Sequence, residues 1–136
     1  NQLLKLARDL SSEFYVSEEA VKEAVEKKRM FNMIHFAEVF KFDLIPLKSD
    51  PYDQERFDRR IPIELEGKKI YFSSAEDIIL AKLQWAAASD SERQIRDASG
   101  IIEVQGAHLD WKYLNEWARR IGVIQLLDKI RPQDLS

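Results

Sequence analysis

Three groups of residues have types and spacings that could do chemistry. Asp43 stands in the apolar run Val39-Phe40-Lys41-Phe42-Asp43-Leu44-Ile45. Strand alternation puts Phe40, Phe42 and Leu44 on one face, expected to be the core, and Val39, Lys41, Asp43 and Ile45 on the other. A carboxylate in such a strand needs a neighbouring cation or a metal to offset its lost hydration. The simpler arrangement is a half-exposed strand with Lys41 and Asp43 side by side in solvent. Lys82 is flanked on a helical wheel by Ile78 and Ala86, inside a segment apolar around nearly its whole circumference. Its ammonium can snorkel, pair with an acid, or point into a cleft at a phosphate. Arg93, Arg96 and Asp97 follow at i, i+3 and i+4. Asp97 either pairs with Arg93 along its own helix, for a few tenths of a kcal/mol, or faces the same cleft as Lys82 and orients it or a substrate hydroxyl.

Other chemistries find little footing. The chain of 136 residues is 45% apolar and 33% charged, with four Gly, four Pro, no Cys and a net charge of −3. That composition supports one domain's worth of core and excludes a disordered chain. Without Cys there is no disulfide, thiolate zinc site or thiol nucleophile. His35 and His108 lie far apart in sequence, which gives little support to a His metal site or a Ser-His-Asp triad. The four Gly are isolated, so no Gly-rich loop cradles phosphate. Acids and bases are interspersed, and no strong nucleic-acid signature results. Lys27-Lys28-Arg29 suits the C-terminal end of a helix. Trp117 falls on a core stripe, whereas Trp85 and Trp111 fit either core or interface. No run approaches the ~18–20 apolar residues of a membrane span, and no signal peptide opens the chain. We expect a cytoplasmic protein with no membrane partner.

The elements that must position these residues follow from caps and periodicity. A helix is expected over 3–10, a β-prone piece at Phe14-Tyr15-Val16, and a helix starting after the N-cap Ser17. Phe31 to Phe36 and Val39 to Leu47 form a hairpin, with Pro46 ending the second strand. Asp50-Pro51 opens a short helix that includes Glu55, Phe57 and Arg59. Ile61 to Glu66 and Lys68 to Phe72 flank Gly67 as a tight hairpin, with Pro62 on an edge strand. Helices then follow at 75–88, 91–104, 110–121 and 123–130. The first is capped by Ser74, and Leu109 with Leu114 forms a hydrophobic staple around the Asp110 cap of the third. Gly106 and Gly122 stand where helix ends want positive φ. The expected class is α+β, with a sheet-bearing part over 1–72 and a helical part over 73–136.

In order, Phe40-Lys41-Phe42-Asp43-Leu44-Ile45-Pro46, Ser74-Ala75-Glu76-Asp77-Ile78-Ile79-Leu80-Ala81-Lys82-Leu83, Ser91-Glu92-Arg93-Gln94-Ile95-Arg96-Asp97 and Leu109-Asp110-Trp111-Lys112-Tyr113-Leu114 form a series. With it, the chain from about Phe14 to Ile130 resembles the nucleotidyltransferase-like proteins of bacteria, the polymerase-β-type superfamily near the AbiEii toxins. The resemblance implies that Asp43 is the third carboxylate of a Mg²⁺ site, as metal ligand or base. It implies Lys82 on the triphosphate of an NTP, with Arg93, Arg96 and Asp97 in support. The reaction implied moves a nucleoside monophosphate from an NTP to a hydroxyl of RNA, protein or a small molecule, by positioning and charge stabilisation.

The family also carries a Gly-Ser turn and a strand with Asp-x-Asp, and neither occurs in these 136 residues. Asp90-x-Glu92 has the spacing but falls in a polar turn between helices. The chain as given is therefore expected to be inactive and to bind no Mg²⁺. It reads as either a fragment, since it opens on Asn1, or a degenerate relative. The alternative function is a non-catalytic binding module of the same fold, in a toxin–antitoxin-like pair or as an adaptor. A protein partner or a homodimer is open to either form, because an unpaired sheet edge invites association.

Overall fold

A computed structural model describes residues 2–38 and 40–132. The class is α+β, with seven α-helices and two small antiparallel sheets among the described residues. The chain divides into two compact units, Asn1–Asp50 and Pro51–Ser136.

In the first unit, helices α1 (Gln2–Asp9) and α2 (Glu18–Lys27) accompany a three-stranded sheet of β1 (Phe14–Tyr15), β2 (Phe31–His35) and β3 (Lys41–Leu44). Ser17 caps α2 by accepting the Ala20 N–H, and Lys28 ends it in the left-handed conformation at φ 51°. Strand β2 is central, pairing antiparallel with β1 and with β3. Its alternation is clean: Phe31 and Met33 are buried, with Ala7, Val21 and Ala24 from the helices. Phe40 and Phe42 depart from the expected core. They are 38% and 50% exposed, because the helices cover β2 while β3 runs along the edge. The two rings instead join Phe14 and His35 in an aromatic cluster at the rim. Leu44 alone of the three packs against the core, partly buried. Val39 lies outside the described residues.

In the second unit, α3 (Pro51–Asp58) leads into the hairpin of β4 (Ile61–Leu65) and β5 (Lys68–Phe72). Arg59 falls just past the end of α3. Glu66 and Gly67 make the turn with φ of 48° and 73°, the two-residue pattern whose twist matches paired strands. Helices α4 (Ala75–Ser89), α5 (Glu92–Gln105), α6 (Trp111–Arg120) and α7 (Ile124–Ile130) complete the unit. Ser74 and Asp110 cap α4 and α6 through their side chains, as expected. Leu109 and Leu114 meet in the core around the second cap. Gly122 takes φ 77° after α6. Gly106 does not take positive φ: at φ −46° it stays right-handed, because the chain tightens there into a 3-10 turn over Gly106–His108.

The core of this unit is built from Ile79, Leu80 and Leu83 of α4, Ile102 of α5, Leu114 and Trp117 of α6, and Leu127 of α7. Each such side chain contributes about 1.5–3 kcal/mol on full burial. No helix among the described residues is long and apolar enough to cross a membrane.

Candidate functional site

Helix α4 is apolar nearly all round, and the face that carries Ile79, Leu80, Leu83 and Ala86 is buried. Ile78 and Trp85, on the same face as Lys82, remain 38% and 49% exposed. Lys82 therefore emerges from an apolar surface, where its stem packs and its ammonium needs a partner. Helix α5 supplies two. Lys82 Nζ donates to Asp97 Oδ2 at 2.9 Å and to Gln94 Oε1 at 3.4 Å. Of the openings left by the sequence, Asp97 takes the cross-helix one and pairs with Lys82. Arg96 ion-pairs with Glu92 at 3.6 Å.

The Lys82 side chain is 21% exposed and that of Asp97 is 40% exposed. Hydrogen bonding from Lys82, aided by the charges of Lys82, Arg93 and Arg96, holds the Asp97 carboxyl below its usual range against the opposing effect of burial. Asp97 is thus a persistent anion that orients the ammonium, and a poor proton acceptor. Lys82 has three N–H donors and spends two on the protein, which leaves one for a ligand.

The pair stands at an open groove of about 690 Å³, lined by Lys82, Arg96 and Asp97 with Ile78, Gly100 and Val104 among its other walls. Arg96 is 70% exposed and its pair with Glu92 is a solvent-screened surface contact, so its guanidinium can turn to an anion at little cost. Three of the residues singled out by the sequence therefore come together: Lys82, Arg96 and Asp97. Arg93 is exposed on the same helix and reaches the site through its charge on Asp97. Periodicity does not mark Gln94, although it sits three residues before Asp97. Gly100, alone in a helical pattern, is a sequence signal for this groove.

Asp43 belongs to the first unit. Its Oδ1 accepts from the Asn32 amide across β2 and β3 and lies 3.7 Å from Lys41 Nζ, and its side chain is 45% exposed. That is the half-exposed strand with Lys41 and Asp43 side by side. Both contacts engage Oδ1, and a cation at Asp43 would compete with the charge of the Lys41 ammonium. Among the described residues no three His, Cys, Asp or Glu side chains group as a metal site requires. The donor set does not by itself fit Mg²⁺, which wants near-octahedral oxygens.

A second polar cluster lies in the core, and the sequence marks only its cap. Asp77, 2% exposed, and Glu76, 8% exposed, open α4. Glu76 Oε1 accepts the Asp110 backbone N–H at 2.9 Å, tying α4 to α6. Arg59 reaches both carboxylates at 3.6 Å and lies 3.8 Å over the Tyr113 ring. Arg59 meets the two carboxylates as ion pairs and not as hydrogen bonds, and the cluster ties α4 to α6.

Compared with protein-family models, with curated proteins and with solved structures, the chain matches none.

Proposed function

We propose that the chain belongs to a nucleotidyltransferase-like protein and that the groove between α4 and α5 takes the phosphates of a nucleoside triphosphate. The observation that carries this reading is the Lys82–Asp97 pair, which crosses from α4 to α5 and leaves one ammonium donor free. The motif series in the sequence supplies the rest of the reading. In the intact activity, a hydroxyl acceptor attacks the α-phosphorus, a nucleoside monophosphate is transferred and pyrophosphate leaves. Lys82 holds phosphate oxygens. Asp97 and Gln94 fix the ammonium, and Arg96 adds a second, mobile cation. No step is routed through Asp43, which belongs to the other compact unit.

Equilibrium binding of ATP, GTP, CTP and UTP tests the proposal. Saturable binding that falls at least tenfold in Lys82→Ala is expected. Absence of binding, or binding indifferent to Lys82, overturns it.

A second reading, a non-catalytic binding module, is favoured by the engagement of Asp43 with Asn32 and Lys41. Such a module would work in a toxin–antitoxin-like pair, as an adaptor, or as a homodimer. It would bind nucleotide without releasing pyrophosphate even when joined to an Asp-x-Asp segment, whereas the first reading requires release.

A further inference from the structure

We infer that Gly100 keeps the floor of the α4–α5 groove open for the sugar and base of a nucleotide whose phosphates lie on Lys82 and Arg96. The inference rests on the phosphate site proposed above and adds what occupies the remainder of the groove.

Gly100 lies within α5, five residues before its end at Gln105. An interior helical position is where glycine is the worst choice short of proline, since it loses the most backbone entropy. Three reasons commonly keep a glycine in place, and none applies here. It is not a left-handed residue: the glycines at positive φ are Gly67 and Gly122. It does not cap the helix. Nor does it allow close packing, because a Cβ built at Gly100 would meet nothing within 4 Å. The protein's own atoms leave room for a side chain that would strengthen the helix. The room is in the groove, which Gly100 lines.

The order of residues along α5 says what fits. Arg96 and Asp97 precede Gly100 by four and three positions, so the charged end of the groove is one helical turn away, about 5–6 Å along the axis. Val104 follows one turn beyond and is 78% exposed, with Ile78 of α4, 38% exposed, also in the lining. The groove thus runs from a cationic end, across bare backbone, to an apolar end. A nucleotide has the same sequence of parts: an anionic tail, a sugar, and a flat base with apolar faces. The groove's volume of about 690 Å³ lies within the roughly 300–1,000 Å³ of small-molecule sites.

Gly100→Ala and the larger Gly100→Leu test this, with ATP and inorganic tripolyphosphate as probes, both in EDTA. Thermal melts run alongside. Both variants should melt at least as high as the parent, and Gly100→Ala a few degrees higher. Both should bind ATP at least tenfold more weakly, Leu more so than Ala. Tripolyphosphate, which has no sugar or base, should bind within twofold of the parent in both.

Stabilised variants that bind ATP as the parent does would overturn the inference. So would equal weakening of ATP and tripolyphosphate, since the glycine would then act on the phosphate end. A lower melting temperature in Gly100→Ala would remove the premise of open space. If the parent binds neither probe, or binds both independently of Lys82, the phosphate site itself fails and the inference with it. If Lys82→Ala abolishes binding while the Gly100 variants keep it, the phosphate site stands and only the present inference falls.

Discussion

The Tyr113 hydroxyl donates to Asp77 Oδ1 across 2.7 Å, linking α6 to the first turn of α4 inside the second unit. The other carboxylate oxygen accepts from the Ser74 hydroxyl at 2.7 Å, which in turn accepts the Asp77 N–H at 3.1 Å. A buried carboxylate is tolerated only when its lone pairs are met and a cation is near, and Arg59 supplies the cation at 3.6 Å. Tyr113→Phe removes the one donor that α6 gives to Asp77. The expected loss is about 2 kcal/mol, in the range of hydrogen bonds to charged groups. Asp77→Ala should cost more, because it also takes the acceptor from the Ser74 hydroxyl and one of the two carboxylates that face Arg59. Urea unfolding of both single variants and the double variant measures this. Additive effects would show that the 2.7 Å contact carries no coupling.

The same contact sets the alkaline limit. Burial raises the Tyr113 phenol far above its ordinary value, reinforced by its hydrogen bond to Asp77. Burial and the Asp77 charge do the same to Tyr52, whose hydroxyl donates to the Asp77 carbonyl. Unfolded tyrosine ionises near pH ~10, while these two stay protonated in the fold. Their contribution is therefore complete below about pH 10 and is lost as pH rises from there toward the folded values. Each contributes a slope of up to about 1.4 kcal/mol per pH unit. Melting temperature followed from pH 9 to 11.5 should fall, and fall less steeply in Tyr113→Phe. Equal slopes in parent and variant would contradict the assignment.

Much of this framework was legible because its determinants are local. Ser17, Ser74 and Asp110 announce helix starts by accepting backbone N–H groups three residues on, and Glu66-Gly67 announces a turn, whatever the rest of the chain does. What stayed hidden depends on partners distant in sequence. Asp77 reads as a cap because Ser74 is three residues away, while Tyr113, on α6, and Arg59, just past α3, which make it a buried hub, are distant in sequence. Lys82 had three openings, and only the packing of α4 on α5 selects Asp97. Phe40 and Phe42 show a different limit. Alternation says which side chains share a face, and it does not say whether anything covers that face.

The Lys82–Asp97 pair makes its own prediction. The Lys82 hydrogen bond holds the Asp97 carboxyl below the ordinary carboxylate range. The contribution of the pair is therefore present above about pH 4 and is lost as pH falls through the lowered value. Lys82→Ala should return the Asp97 titration toward its ordinary midpoint. A ¹³C carboxyl NMR titration of parent and variant reads this directly, and an unmoved midpoint would mean that Arg93 and Arg96 alone hold the anion.

The β4–β5 hairpin gives a local test of backbone conformation. Its strands are exposed throughout, with Ile61 opposite Phe72 and Ile63 opposite Ile70. With little burial to hold them, the turn matters more than it would in a core. Gly67 at φ 73° is in the left-handed region, where a Cβ is strained even though nothing lies within 4 Å of it. Gly67→Ala should cost the hairpin about 1 kcal/mol. Glu66 at φ 48° is also left-handed, so Glu66→Asn should gain a few tenths of a kcal/mol, since Asn tolerates that conformation. Amide hydrogen exchange is the appropriate measurement, because opening of an exposed hairpin need not unfold the helices. Exchange in β4 and β5 should accelerate about fivefold in Gly67→Ala and slow in Glu66→Asn, with the amides of Leu80 and Leu114 unchanged. Changes of equal size in those core amides would show that the hairpin and the helical core open as one cooperative unit.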